Sequence, residues 1–234
     1  MDERRARTPV PVVASAVASA VASAVASVGR VPLAPGDHLC ALYRGRAERE
    51  QLLTPFIADG LREGHSCLLL AADGEGRALR DVLAANAPAV GPDSDGLQIM
   101  GPKESYLLDG TFDGDHMLDM LHAWSDSTFS AGNGTFARLA ADMSWAQPLV
   151  QPAFIHDLIR YEMKATRWFM SCPQVGMCLY DLELFSGDLI IPLVKAHPKV
   201  WLSGMVVENP YCAGPEEELD PREEVLEPRA ADEV

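Results

Sequence analysis

Residues 38–71 read HLCALYRGRAEREQLLTPFIADGLREGHSCLLLA, and the order of patterns in this stretch decides the fold. Its first six residues, His38 to Tyr43, form a short apolar run suited to a buried strand. From Ala47 to Arg62, the residues Leu52, Leu53, Phe56, Ile57 and Leu61 recur at helical spacing, with Glu48, Arg49, Glu50, Asp59 and Arg62 placed off that stripe. Gly64 stands where a helix C-terminus favours glycine. Ser66 to Ala71 then reads as a second buried strand. Strand, helix and strand in this order predict parallel strands of one sheet joined by a right-handed crossover.

The same alternation continues toward the C-terminus. Helices are predicted over 77–86, from Asp115 onward with Met117, Leu118, Leu121 and Trp124 on one face, over 152–169 with Phe154, Leu158, Tyr161 and Trp168, and over 187–196. Strands are predicted over 97–100, 136–145, 177–180 and 200–207, with a turn at 132–134. The fold class is therefore α/β, a mainly parallel sheet flanked by helices. Residues 1–36 form a tail and linker. Within them VVASAVASAVASAVASV (12–28) is an Ala/Val/Ser repeat, and GRVPLAPG (29–36) is the connection into the domain. A signal peptide is disfavoured because a serine interrupts the apolar run at every fourth residue, and the run is too short and polar for a membrane span. The domain occupies 37–212. Residues 213–234, which include EEELDPREEVLE at 216–227, are an acidic tail with no core-forming pattern.

The formal net charge of -15 repels phosphate backbones and anionic lipid, which excludes direct nucleic-acid and membrane-surface partners. Five cysteines, odd in number and without a CxxC pair, suit a reducing compartment, so a cytoplasmic location is expected.

In an open parallel sheet, ligands bind outside the carboxyl ends of the strands. Tyr43-Arg44-Gly45-Arg46 follows the first strand, and neither this loop nor any other contains GxxxxGK[ST]. The backbone cradle and lysine of a phosphate-binding loop are therefore missing, and nucleotide hydrolysis is not expected. Arg44 and Arg46 remain an alternative anion site, the mark of a degenerate nucleotide-binding domain. His38-x-Cys40 places two ligand-type side chains on one strand face. Two ligands do not make a site, and Cys178, Cys212 and His197 complete one only if the fold gathers them. Buried strand cysteines read as apolar fillers, so no metal is assigned. Asp142 ends a strand where a nucleotide-hydrolysing relative carries an acid for magnesium, and without a phosphate loop it reads as a turn cap. Tyr43, Trp145, Tyr180 and Tyr211 suggest an aromatic pocket rim, with His38, Glu162 and Asp181 as polar handles for a small organic molecule. No spacing indicates a catalytic residue or a cofactor.

Taken in order, HLCALY (38–43), PFIADGLREGHSCLLLA (55–71), ESYLLDGTFD (104–113), RLAADMSWA (138–146), YE (161–162), MCLYDLELF (177–185) and HPKVWLSGMVVENPYC (197–212) resemble the MEDS family of methanogen/methylotroph sensory domains. The GLREG-strand segment also resembles KaiC-like RecA ATPases. The resemblance implies a RecA/KaiC-like core without a Walker A loop. It further implies a ligand-sensing input domain in prokaryotic signalling, proposed to recognise simple hydrocarbon derivatives. Relatives often carry DNA-binding, histidine-kinase-like or anti-sigma-factor modules. No output module is recognised in this chain, so the expected output runs through a partner protein in a transcription or anti-sigma pathway. His65 and Cys212 stand where family members more often show an acidic residue and an aromatic one.

Overall fold

A computed structural model of the chain describes residues 26–28, 31–72, 74–86, 96–130 and 135–212. The acidic tail, the turn at 132–134 and the Ala/Val/Ser repeat up to residue 25 lie outside the described residues. Strands β1 (Ala26–Val28) and β2 (Val31–Leu33) pair antiparallel, and Val28 and Leu33 are buried against the domain. This hairpin therefore packs on the core, although the composition assigns its residues to tail and linker.

Among the described residues, seven strands form one sheet in the order β11-β10-β3-β9-β8-β4-β5. They are β3 (His38–Tyr43), β4 (Ser66–Leu70), β5 (Leu97–Met100), β8 (Ala137–Asp142), β9 (Gln174–Asp181), β10 (Lys199–Leu202) and β11 (Met205–Glu208). All neighbours run parallel except β10 and β11. The strand expected over 200–207 is thus a hairpin. Ser203 (φ 51) and Gly204 (φ 86) are both left-handed, the conformation of a two-residue turn that folds a strand back on itself. Asp109 (φ 50) and Gly110 (φ 82) do the same between β6 (Leu107–Leu108) and β7 (Thr111–Phe112).

Among the described residues, five helices cover the sheet: α1 (Gly45–Arg62), α2 (Gly76–Asn86), α3 (Gly114–Ser130), α4 (Pro152–Phe169) and α5 (Gly187–Ala196). Because side chains alternate across a strand, each strand feeds two cores. Leu39, Ala41, Cys67, Leu69, Ala140, Met177 and Leu179 pack under α1 and α2. Cys40, Leu42, Leu68, Leu70, Leu139, Ala141, Cys178 and Tyr180 pack under α3, α4 and α5. Burial on both faces explains why these strands read as continuous apolar runs.

Candidate functional site

The connections after β3 and β4 leave toward the α1/α2 face, whereas those after β8 and β9 lead to α4 and α5 on the other face. The sheet therefore has a topological switch between β3 and β9, where a crevice is expected at the carboxyl ends. The free N–H groups of a helix start normally favour an anion there. In this chain they already face carboxylates. Arg44 N–H donates to Glu48 Oε2 (2.6 Å) and Gly45 N–H to Asp181 Oδ1 (3.2 Å). Gly45 is left-handed (φ 64), and a Cβ there would lie 3.3 Å from Glu183 Oε2. One turn on, Arg49 reaches inward to Asp142 (2.5 Å) and to Glu75 (2.7 Å). Asp142 is fully buried and its other oxygen accepts the Ser144 N–H at 2.9 Å. Tyr43 lies beside this network, and burial, followed by the Asp142 and Asp181 charges, pushes its hydroxyl well above the usual tyrosine range. Arg46 bonds Glu50 one turn along the exposed side of α1, and Arg44 is exposed.

On the opposite face of the sheet, four buried side chains from four elements converge. His38 opens β3, Cys178 lies in β9, Glu162 projects from α4, and His197 follows the last turn of α5. His38 Nε2 is 3.3 Å from Cys178 Sγ and 3.5 Å from Glu162 Oε2. The same oxygen is 3.5 Å from His197 Nε2 and 3.7 Å from Cys178 Sγ. Tyr180 donates its hydroxyl to Glu162 Oε1 at 2.5 Å. His38 stacks on Phe169 with ring centroids 4.7 Å apart. Gly176, the register partner of His38, permits this, since a Cβ there would overlap the Phe169 ring at 2.0 Å. Burial raises the pKa of Glu162 against the opposing pull of His197, Tyr180 and Cys178. Burial, and then His197, holds His38 well below the usual histidine range. Burial, and then Glu162 and Cys40, raises the Cys178 thiol.

Trp145 belongs to a third locus. It stacks on Tyr106 (4.6 Å between centroids) and meets Phe112 and Phe154 edge-on or tilted, with Tyr161 closing the nest. Beside it lies an open cavity of about 190 Å³ lined by Phe112 and Tyr161 and by the charged residues Asp113, Asp115, Asp157, Arg160 and Lys164. Tyr211 is 82% exposed. Its neighbour Asn209 donates to the carbonyls of Val194 and His197 and pins the end of α5.

The residues expected to share one pocket thus occupy four places. Tyr43 and Asp181 stand at the switch crevice. His38, Glu162 and Tyr180 meet in the buried cluster, Trp145 joins the aromatic nest, and Tyr211 faces solvent. The four aromatics do not form a common rim. Cys178 and His197 are drawn into one cluster with His38, whereas Cys40, the apparent strand partner of His38, is not among the converging ligand-type groups. Arg49 is buried rather than off the apolar stripe. Its position three and four residues before Leu52 and Leu53 puts it on the core side, and that spacing was the available signal. Arg138 is also buried. It donates to the Phe56 carbonyl, to Glu63 and to His65 Nδ1.

A model of the family described as "MEthanogen/methylotroph, DcmR Sensory domain", MEDS, matches residues 37–198. Among curated proteins, the chain is similar to the transcriptional repressor DcmR of Methylorubrum extorquens (strain DSM 6343 / CIP 106787 / DM4), with 27% identity over 176 residues. That match covers 73% of this chain and 61% of the repressor, so the chain spans less than two thirds of its relative. Among solved structures, a KaiC-like protein from Pyrococcus horikoshii OT3 is 12% identical, with 72% of this chain and 71% of that chain covered and a TM-score of 0.46. The fold class rests on strand order and register, not on that likeness.

Proposed function

The chain belongs to the MEDS family of sensory domains, and from that premise we propose that it is a non-catalytic, cytoplasmic ligand sensor that signals through a partner protein. The observation that carries this reading is the occupation of the α1 N-terminus. Asp181, Glu48 and Glu183 crowd the backbone N–H groups that would otherwise hold a phosphate, and like charges there disfavour an anionic ligand. Arg49 pairs with both Asp142 and Glu75 from within, which leaves Asp142 poorly placed to hold a divalent cation for hydrolysis. Both features favour a regulatory role over nucleotide chemistry.

The cavity beside the aromatic nest suits a small organic molecule with an apolar skeleton and a polar handle. Phe112 and Tyr161 offer an apolar contact, and the charged residues of the lining offer hydrogen-bond partners. Trp145 packs on Phe112. Such a ligand shifts the balance between two states of the domain only if it binds one of them better. A partner in a transcription or anti-sigma pathway then reads the shift. Among the described residues, no helix is long and apolar enough to cross a membrane.

Thermal unfolding against ATP, GTP and a panel of short-chain hydrocarbon derivatives tests the reading. A compound that binds the native state alone at a hundredfold excess over its dissociation constant adds about 2.7 kcal/mol. The midpoint is expected to rise with an organic compound, and Phe112→Ala is expected to abolish that rise. A rise with nucleotide that Arg44→Ala and Arg46→Ala remove would instead establish the degenerate nucleotide-binding reading.

A further inference from the structure

We infer that His38, Glu162, Cys178 and His197 form a closed, four-coordinate site for a zinc-class divalent metal ion. The inference stands apart from the ligand-sensing reading, because the cluster is sealed in the core and shares no residue with the aromatic-nest cavity.

Four of the six distances between the inward-facing ligand atoms are close to the edges of a tetrahedral zinc site. Zinc bonds to imidazole nitrogen and carboxylate oxygen of about 2.0–2.1 Å, and to thiolate of about 2.3 Å, imply ligand-to-ligand edges of about 3.3–3.6 Å. The edges His38–Cys178, His38–Glu162, His197–Glu162 and Cys178–Glu162 measure 3.3, 3.5, 3.5 and 3.7 Å. One ligand atom from each of the four residues lies within 4.8 Å of all the others.

The surrounding hydrogen bonds fix which nitrogen faces inward. His197 Nδ1 lies 2.8 Å from the Leu193 carbonyl oxygen. A carbonyl only accepts, so Nδ1 carries the proton and Nε2 of the neutral ring presents a lone pair. That Nε2 is buried and has no hydrogen-bond partner, an uncommon condition for a polar atom in a core. His38 Nδ1 lies 2.8 Å from Thr166 Oγ1, whose single proton is directed to the carbonyl oxygens of Glu162 (3.1 Å) or Ala196 (3.2 Å). His38 Nδ1 is therefore the donor to Thr166, and its Nε2 also presents a lone pair to the centre. Tyr180 orients the fourth ligand through Glu162 Oε1, leaving Oε2 turned inward. Every first ligand except the thiol thus has an outer partner of the kind that orients metal ligands.

Charge and chemistry agree with the geometry. Two neutral imidazoles, one carboxylate and one thiolate sum to minus two, which a divalent ion cancels inside a medium that penalises net charge. A nitrogen-rich set with one thiolate selects a borderline-soft ion over calcium or magnesium, which require oxygen. All four positions belong to protein and none opens to solvent, the mark of a structural ion rather than a catalytic one. The ion ties α4 and the α5–β10 junction to β3 and β9, in place of a cluster of buried polar groups facing one another. Binding displaces the Cys178 thiol proton.

The test uses the 234-residue chain, stripped of metal under reducing conditions and titrated with Co²⁺. The expected result is saturation at one equivalent, with the intense visible bands of a tetrahedral ion and a thiolate-to-cobalt charge-transfer band. Zn²⁺ is expected to abolish both and to raise the thermal midpoint. Cys178→Ser is expected to remove the charge-transfer band, whereas Cys67→Ser keeps it. The wild-type spectrum decides the matter even where a variant fails to fold. Absence of tetrahedral bands at saturating Co²⁺, or a charge-transfer band that persists in Cys178→Ser, overturns the inference.

Discussion

Arg49 and Asp142, 93 residues apart in sequence, form a buried ion pair across the carboxyl ends of the sheet, with 2.5 Å between Arg49 Nη1 and Asp142 Oδ2. Glu75 holds the second arm of the guanidinium. The pair joins the second turn of α1 to the end of β8. It converts a position that would otherwise attract a cation into a fixed internal contact.

Removing one partner leaves the other charge buried and uncompensated. Arg49→Met is therefore expected to cost about 3–5 kcal/mol in urea unfolding, because Asp142 is fully enclosed. The double variant Arg49→Met/Asp142→Asn should lose less than the sum of the two single losses, as expected for residues in direct contact. Strict additivity would mean that the pair carries no coupling.

Gly176 and Phe169 set a second constraint. A Cβ at residue 176 would lie 2.0 Å from Phe169 Cζ and 2.4 Å from Cε1, and the ring has His38 on its stacking side. Gly176→Ala is expected to destabilise by about 1–3 kcal/mol or more, since the core has no slack to absorb a methyl group. Phe169→Leu in the same chain should recover part of the loss in a thermal melt. A Gly176→Ala variant as stable as the parent would refute the steric argument.

The α1 and β4 patterns were legible because a 3.6-residue stripe between two apolar runs has few other solutions. The two tight hairpins were less legible, since Asp109-Gly110 and Ser203-Gly204 interrupt short apolar stretches that otherwise read as continuous. The charge of Arg49 points to solvent, whereas its spacing from Leu52 and Leu53 points to the core side that it occupies. His38, Cys178 and His197 each stood out in the sequence as possible ligands. Their convergence depends on the parallel register that sets Cys40 opposite Cys178, and on the packing of α4 and α5 over that register. Neither is visible in local periodicity, and for the same reason the sequence alone presents Glu162 as a pocket handle.

His65 gives a pH dependence with a definite sign. Its Nδ1 accepts from Arg138 Nε at 3.1 Å, which requires a neutral ring. Burial lowers its pKa from 6.5, the Arg138 charge lowers it further, and Glu63 opposes both. The unfolded chain therefore takes up a proton before the folded chain does. This contribution to stability is complete above the unfolded value of 6.5 and is lost as pH falls through the lower folded value. Urea unfolding of the parent and His65→Gln between about pH 7.5 and 5 should show the parent losing its relative advantage toward acid. A pH-independent difference would remove His65 from the account.

Tyr180 tests the outer support of the buried cluster. Its hydroxyl donates to Glu162 Oε1 at 2.5 Å, which stabilises the carboxylate form against the burial that favours the carboxylic acid. In Tyr180→Phe the carboxyl binds its proton more tightly, so a metal ion must compete harder for Oε2. Affinity for Zn²⁺, read by competition with a chromophoric chelator, is expected to fall by about 10–100-fold. Tyr43→Phe, on the other face of the sheet, should leave that affinity unchanged. Equal effects from the two variants would trace the loss to general destabilisation. A loss confined to Tyr180→Phe places the tyrosine as a positioning residue that acts through Glu162.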